Sequence, residues 1–257
     1  MVCFNSFNMD TISNLLFHLN FFFHNQLIVN PHHAGFYFDL FYLLAFLLAT
    51  IWMLWEGHRK KIPLVSWLLV LALSRLFFII GTKVSSYSAV DWLYFFQTSE
   101  LVPTRDKVIL GGFLLGLIAF WAGLKIFRLP IGSLDAMAIA IPLSIFLQRI
   151  GCFILGCCFG TPTDLSWGVR YSFGTPPHMH QFRQGLIQAS TDATQAIHPF
   201  QLYEALNGLT VALLVFLFRK KIKTPGNLFL FTLGTWALNR SIIEFFRDPV
   251  AHVMGGE

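Results

Sequence analysis

Six apolar runs, each close to the length of a membrane span, dominate the pattern along this chain. They extend from Phe36 to Trp55, Pro63 to Gly81, Val108 to Leu124, Ser133 to Gly151, Pro199 to Phe218 and Gly226 to Phe246. A helix rises about 1.5 Å per residue, so roughly 20 residues cross a hydrocarbon core about 30 Å thick. The pattern predicts an all-α polytopic membrane protein of six to seven transmembrane helices. Basic residues fill alternate connections: Arg59, Lys60 and Lys61; Lys125 and Arg128; Arg219, Lys220, Lys221 and Lys223. The positive-inside rule makes these loops cytoplasmic and leaves the N-terminus, the loop 82–107 and the long loop 157–198 outside. That last loop carries Gly160, Pro162, Gly168, Gly174, Pro176 and Pro177. Turn residues at this density predict an ordered extracytoplasmic cap and no seventh span.

The first 30 residues contain no Lys or Arg, so the apolar stretch from Phe17 to Phe23 lacks the basic flank of a signal peptide. Residues 1–35 read as an extracytoplasmic or interfacial segment, and 36–257 as one transmembrane domain. The chain stops shortly after its last apolar run, which predicts a trimmed end or a final helix beyond residue 257.

Composition agrees with the pattern. The chain is 55% hydrophobic and 12% charged, with a mean hydropathy of +0.62, whereas soluble domains carry about 25% charged residues. The net charge of +5 sits in loops that mark topology, so nucleic acid is not an expected partner. Nothing in the sequence calls for a cofactor.

Ionisable groups inside apolar runs cost several kcal/mol unless paired or hydrated, so each marks a candidate site. Asp39 and Arg75 lie near the outer ends of their runs and read as structural, with a mutual ion pair expected. Arg149 and Arg240 reach the same outer depth. Two guanidiniums there suit a phosphodiester, whose oxygens match the planar fork. The alternative is pairing with Glu204 or Glu244. Tyr203, Glu204 and His198 gather at that depth too, a set from which acid and base chemistry on a lipid headgroup can be built. Cys152, Cys157 and Cys158 cluster at the outer interface, where thiols beside arginines become nucleophiles or a redox pair, or simply fill a tight helix end. Zinc shared with His178 and His180 is disfavoured, because the spacing fits no common site.

Three ordered stretches resemble one family. They are Leu147-Gln148-Arg149-Ile150-Gly151-Cys152-Phe153 continuing through Gly160-Thr161-Pro162-Thr163-Asp164 to Trp167-Gly168-Val169; His198-Pro199-Phe200-Gln201-Leu202-Tyr203-Glu204; and Asn239-Arg240 through Glu244-Phe245-Phe246-Arg247-Asp248-Pro249. The chain resembles the prolipoprotein diacylglyceryl transferases, whose corresponding segments read GRIGNFxNGExxGxPTDxPWGV, HPxQLYE and RFxxEFFRxPD. The resemblance implies a multi-pass protein of the bacterial cytoplasmic (inner) membrane, embedded among membrane lipids. It would move a diacylglyceryl group from phosphatidylglycerol to the thiol of a lipobox cysteine in a preprolipoprotein signal peptide, or to another acceptor, at the outer leaflet. It further implies that Arg149 and Arg240 hold the phosphate and that Tyr203, Glu204 and Glu244 complete a polar catalytic pocket, with no metal.

Several family positions differ. The His of the HGGL motif is Leu110 here, while Gly111 and Gly112 remain, either for lipid contact or for helix packing. The signature's Asn, second Asn and Glu are Cys152, Leu155 and Cys157, which makes Cys157 a candidate for a rebuilt catalytic role. Tyr37 is the candidate for the family's N-terminal Tyr, with a one-residue offset. The resemblance therefore supports the donor site better than the proton-transfer groups. Two alternatives stand beside the transferase: a non-catalytic phospholipid-binding homologue, and a membrane thiol oxidoreductase using Cys157 and Cys158.

Overall fold

A computed structural model describes residues 28–29, 34–100, 109–188 and 191–249. The stretch Phe17 to Phe23, Cys3 and the end beyond residue 249 lie outside the described residues. Helix α1 spans Ala34–Arg59, α2 Leu64–Val84, α3 Ala89–Thr98, α4 Ile109–Ile126, α5 Met137–Leu155, α6 Pro176–Arg183, α7 Phe200–Phe218 and α8 Asn227–Ile243. Short 3-10 turns at Ile131–Ala136 and Glu244–Phe246 lead into α5 and out of α8. Strands β1 (Ile28–Val29) and β2 (Arg170–Tyr171) pair in parallel.

The fold is that of an all-α polytopic membrane protein. Among the described residues, four helical stretches are long and apolar enough to cross a membrane: Ala34–Arg59, Leu64–Val84, Ile131–Leu155 and Phe200–Phe218. The other two predicted spans are shorter. The apolar part of α4 is Leu110–Ile126, and α8 is 17 residues long, continued by the 3-10 turn. Helix α3 falls inside the loop expected at 82–107. Its start is set by a capping box between Ser88 and Asp91, where each side chain bonds the other's backbone N–H. Large apolar side chains such as Leu43, Ile51, Leu76, Leu213 and Phe216 point outward from the bundle, as lipid-facing surfaces require.

Small residues let the helices meet. On α2 and α4, a Cβ added to Gly81 would lie 2.5 Å from the Gly111 carbonyl, and one on Gly112 would lie 2.4 Å from Thr82 Cγ2 and 2.8 Å from the Phe78 carbonyl. Gly111 and Gly112 thus bring α4 onto α2 at backbone contact, the usual way membrane helices associate without a hydrophobic driving force. Gly151 does the same for α5 against Phe38 and Phe41 of α1, and Gly208 for α7 against the Pro142 carbonyl of α5.

At the basic end of the bundle, buried Glu56 binds Arg59 at 2.5 Å and Lys60 at 3.5 Å. Lys60 also donates to the Gly132 carbonyl at 2.6 Å. Asp135 accepts from the Gly226 and Phe229 N–H groups and so caps α8 from another element, where its charge also complements the helix dipole. The expected Asp39–Arg75 pair does not form. Arg75 donates to Thr50 at 3.0 Å and lies 4.0 Å from the Phe46 ring centre. Asp39 lies three turns before Thr50 on α1, roughly 16 Å away along the axis.

The opposite end carries the cap. Val169 and Ile197 exchange both backbone hydrogen bonds, and Thr161 N–H donates to the Phe246 carbonyl. Phe159, Val169, Tyr171 and Ile197 form its small core. Gly160 is needed at the seam, because a Cβ would come within 2.6 Å of the His198 and Phe246 carbonyls. The segment is thus a folded cap with one short helix, α6.

The α2–α4 contact yields a direct test. Gly112→Ala is expected to destabilise the protein by about 1–3 kcal/mol, the usual cost of overpacking. A drop of several degrees in its melting temperature in detergent would register this. Gly234→Ala, where an added Cβ meets nothing within 4 Å, is expected to hold or slightly raise that temperature, since alanine is the better helix former.

Candidate functional site

Helices α5 and α8 run toward the cap and α7 starts from it, so the end of α5, the first turn of α7 and the end of α8 converge. The centre is Glu204, whose side chain is 1% exposed. Arg149 Nη2 of α5 lies 2.5 Å from Glu204 Oε2, and Arg240 Nε of α8 lies 2.6 Å from Oε1. Arg240 also pairs with Glu244 one turn on, and Arg247 Nη1 lies 3.6 Å from Glu244 Oε1. Arg240 and Arg247 both stand over the ring of Phe200, at 5.1 and 5.5 Å. That ring holds two cations side by side.

Three guanidiniums therefore share two carboxylates, one buried and one half-exposed. Cys158 stands beside them and takes a left-handed backbone conformation with φ of 54°. Hydrogen bonds from the Cys152 and Cys157 thiols, with Arg149 and Arg247 nearby, pull the Cys158 thiol far below the usual thiol range. Cys157 is pushed the other way by the two thiols beside it and by burial. All three cysteines are free.

On the rim, Trp167 Nε1 donates to the Tyr203 hydroxyl at 2.9 Å, and His198 Nδ1 lies 3.1 Å from the same oxygen. Indole only donates, so the phenol's own proton is free to point at His198. Burial lowers the His198 pKa below the ordinary histidine value and keeps the ring neutral. Behind these, Gln201 donates to the Cys157 carbonyl at 2.7 Å and locks the start of α7 to the turn after α5.

The structure brings Arg149, Arg240, Glu204 and Glu244 together, with Tyr203 at the rim. Cys157 joins the thiol group beside them. Gly111 and Gly112 make their close contacts with α2, at Phe78, Gly81, Thr82 and Ser85. Tyr37 is 44% exposed and stacks edge-on against Phe36. It is Tyr42, more than a turn along α1, that comes within electrostatic reach of Arg149 and the three cysteines. Sequence reasoning also missed Arg247, Trp167 and Phe200. Arg247 was findable, since it follows Glu244 by three positions, one helical turn. The histidines weighed for zinc serve the cap: His178 Nε2 meets the Thr191 carbonyl at 2.8 Å, and His180 Nε2 faces Asp248 at 3.3 Å.

A family model described as prolipoprotein diacylglyceryl transferase matches residues 33–256. A phosphatidylglycerol–prolipoprotein diacylglyceryl transferase of Campylobacter curvus is 34% identical over 164 residues, which is 62% of this chain and 52% of the relative. One of Campylobacter jejuni subsp. doylei is 29% identical over 232 residues, 85% of this chain and 77% of the relative. One of Roseobacter denitrificans is 35% identical over 147 residues, 56% of this chain and 46% of the relative. The match thus spans 52% of the first of these relatives and more of the second. No solved structure matches. With a family model covering all but its first 32 residues and its last one, the chain belongs to the prolipoprotein diacylglyceryl transferase family.

Proposed function

We propose that this protein moves a diacylglyceryl group from phosphatidylglycerol to the thiol of a preprolipoprotein lipobox cysteine, or a related acceptor, at the outer leaflet of the bacterial cytoplasmic membrane. The observation that carries the reading is the convergence of Arg149, Arg240 and Arg247 on Glu204 and Glu244. Those three guanidiniums gather at the end of the bundle away from the basic turns. The positive-inside rule puts those turns in the cytoplasm, so the site faces outward. Names carried by the relatives supply the substrates.

The phosphodiester of phosphatidylglycerol binds between the guanidiniums, held in register by Glu204 behind them. The acceptor sulfur attacks the glycerol carbon bonded to the phosphate oxygen, that C–O bond breaks, and glycerol phosphate leaves with its new charge on the arginines. Donors already aimed at the leaving oxygen need no reorganisation, which is where such sites gain most of their rate. The thiol proton passes to Tyr203 as the phenol passes its own to His198. Neutral and placed at the rim, this pair offers the proton acceptor that Leu110 cannot.

Incubating the purified protein with labelled phosphatidylglycerol and a lipobox peptide tests the reading. Glycerol phosphate release with peptide lipidation is expected, and Arg149→Ala or Arg240→Ala should slow release roughly 10²- to 10³-fold. Lipid binding without release would favour the non-catalytic homologue. Activity that survives both arginine changes but dies with Cys157→Ser would favour thiol chemistry.

Charge balance predicts a second result. Glu204→Leu leaves two guanidiniums facing each other without their buried counter-ion, and breaking a buried pair costs about 3–5 kcal/mol. Thermal unfolding in detergent should show a loss of that order.

A third expectation concerns pH. Because the His198 pKa is lowered, the ring stays unprotonated to more acid pH than an ordinary histidine near 6.5. Release should hold level through neutrality and fall only as pH drops below that value. His198→Gln is expected to remove this acid limb from the profile of release rate against pH.

A further inference from the structure

One turn deeper than the arginines, α7 and α8 hold two N–H donors with no acceptor among the described residues: the amide Nδ2 of Asn207 and the indole Nε1 of Trp236. Asn207 is 4% exposed. Its Oδ1 accepts from Asn239 Nδ2 at 2.9 Å, which turns its NH₂ away from that bond. Trp236 precedes Asn239 by three positions and Arg240 by four, so it shares their side of α8. It packs against a cluster containing Val211, one turn past Asn207 on α7. Glu204 stands three residues before Asn207, so Asn207 lies roughly 4.5 Å deeper than Glu204, and Trp236 roughly 6 Å deeper than Arg240.

An unmet donor at this depth is expensive, because hydrocarbon offers it no acceptor. Beside them lies the apolar cluster of Ala138, Ile139, Val211, Val215 and Leu228. An uncharged acceptor that sits just beneath a phosphate suits two such donors. The ester carbonyls of a glycerolipid fit that description. The headgroup glycerol does not, since its hydroxyls donate and lie on the far side of the phosphate.

We propose that Asn207 and Trp236 form the subsite for the ester carbonyls of the diacylglyceryl group. The proposal rests on the reading of phosphatidylglycerol as donor and adds what holds the part that is transferred. With the phosphate on the arginines and a carbonyl on these two donors, the glycerol carbon between them is fixed at the depth where the acceptor sulfur must arrive. Such a subsite prefers ester-linked over ether-linked lipid, because an ether analogue has no carbonyl and its ether oxygen is a weaker acceptor in a different place.

The test compares diester phosphatidylglycerol with its diether analogue of the same headgroup. Binding to the full chain in nanodiscs is read by displacement of a fluorescent phosphatidylglycerol. Wild type is expected to prefer the diester roughly five- to tenfold. Asn207→Leu and Trp236→Phe should each cut that preference to less than about twofold, while Trp236→Tyr, which keeps an O–H donor, should retain part of it. Trp236→Phe and Trp236→Tyr differ by one hydroxyl, so their comparison stands even if Asn207→Leu fails to fold. Equal binding of both lipids by wild type, or an undiminished preference in Trp236→Phe, overturns the subsite. Diester preference without glycerol phosphate release keeps the subsite and sinks the transfer reading; release without that preference does the reverse.

Discussion

Glu204 is the constraint on which the site depends. Two guanidiniums from different helices end on its two oxygens, at 2.5 and 2.6 Å, in surroundings where an unpaired charge is costly. The carboxylate therefore fixes the relation of α5 to α8 as firmly as side-chain packing does. It also prevents Arg149 and Arg240 from repelling one another when no anion is bound. Arg247 joins the same cluster through Glu244.

The rest of the bundle holds that cluster in place. Glycines at 151 and 208 let α1, α5 and α7 approach to backbone contact, which puts Arg149 and Glu204 within reach of each other. Asp135 caps α8 at the far end and sets the axial position of Arg240. The cap closes over the polar end through the Val169–Ile197 and Thr161–Phe246 backbone bonds, and it delivers Trp167 to Tyr203. Stability and function meet here, since the elements that satisfy the cap's backbone also position the rim.

The positions where this chain departs from the family's motifs are the ones the resemblance would give to proton transfer. Leu110 is 66% exposed on α4 and offers no proton acceptor. Cys152 and Cys158 lie beside Arg149, and Cys157 lies against those two thiols. At the rim the fold places a histidine kept neutral by burial, bonded to a phenol that indole already restrains.

Hydropathy by itself determined the fold class, because a helix must be about 20 residues long to cross the hydrocarbon and no other open structure satisfies its backbone there. The motif residues Arg149, Tyr203, Glu204, Arg240 and Glu244 were legible for a related reason: ionisable groups in apolar runs are rare enough to stand out. Helix α3 was written in its Ser88 and Asp91 capping box but lay in a stretch too short to attract a span. Pairing was what the sequence could not decide. Whether Arg75 met Asp39 or Thr50 depended on the axial register of α1 against α2, and whether Gly111 and Gly112 touched lipid or helix depended on which face of α4 met α2. That Tyr42 comes within reach of Arg149 has the same reason, since a helix turns about 100° per residue and only packing decides which direction is inward. The tertiary structure settled these points because contact between helices is set by the shapes of both surfaces, and a single chain's periodicity describes only one.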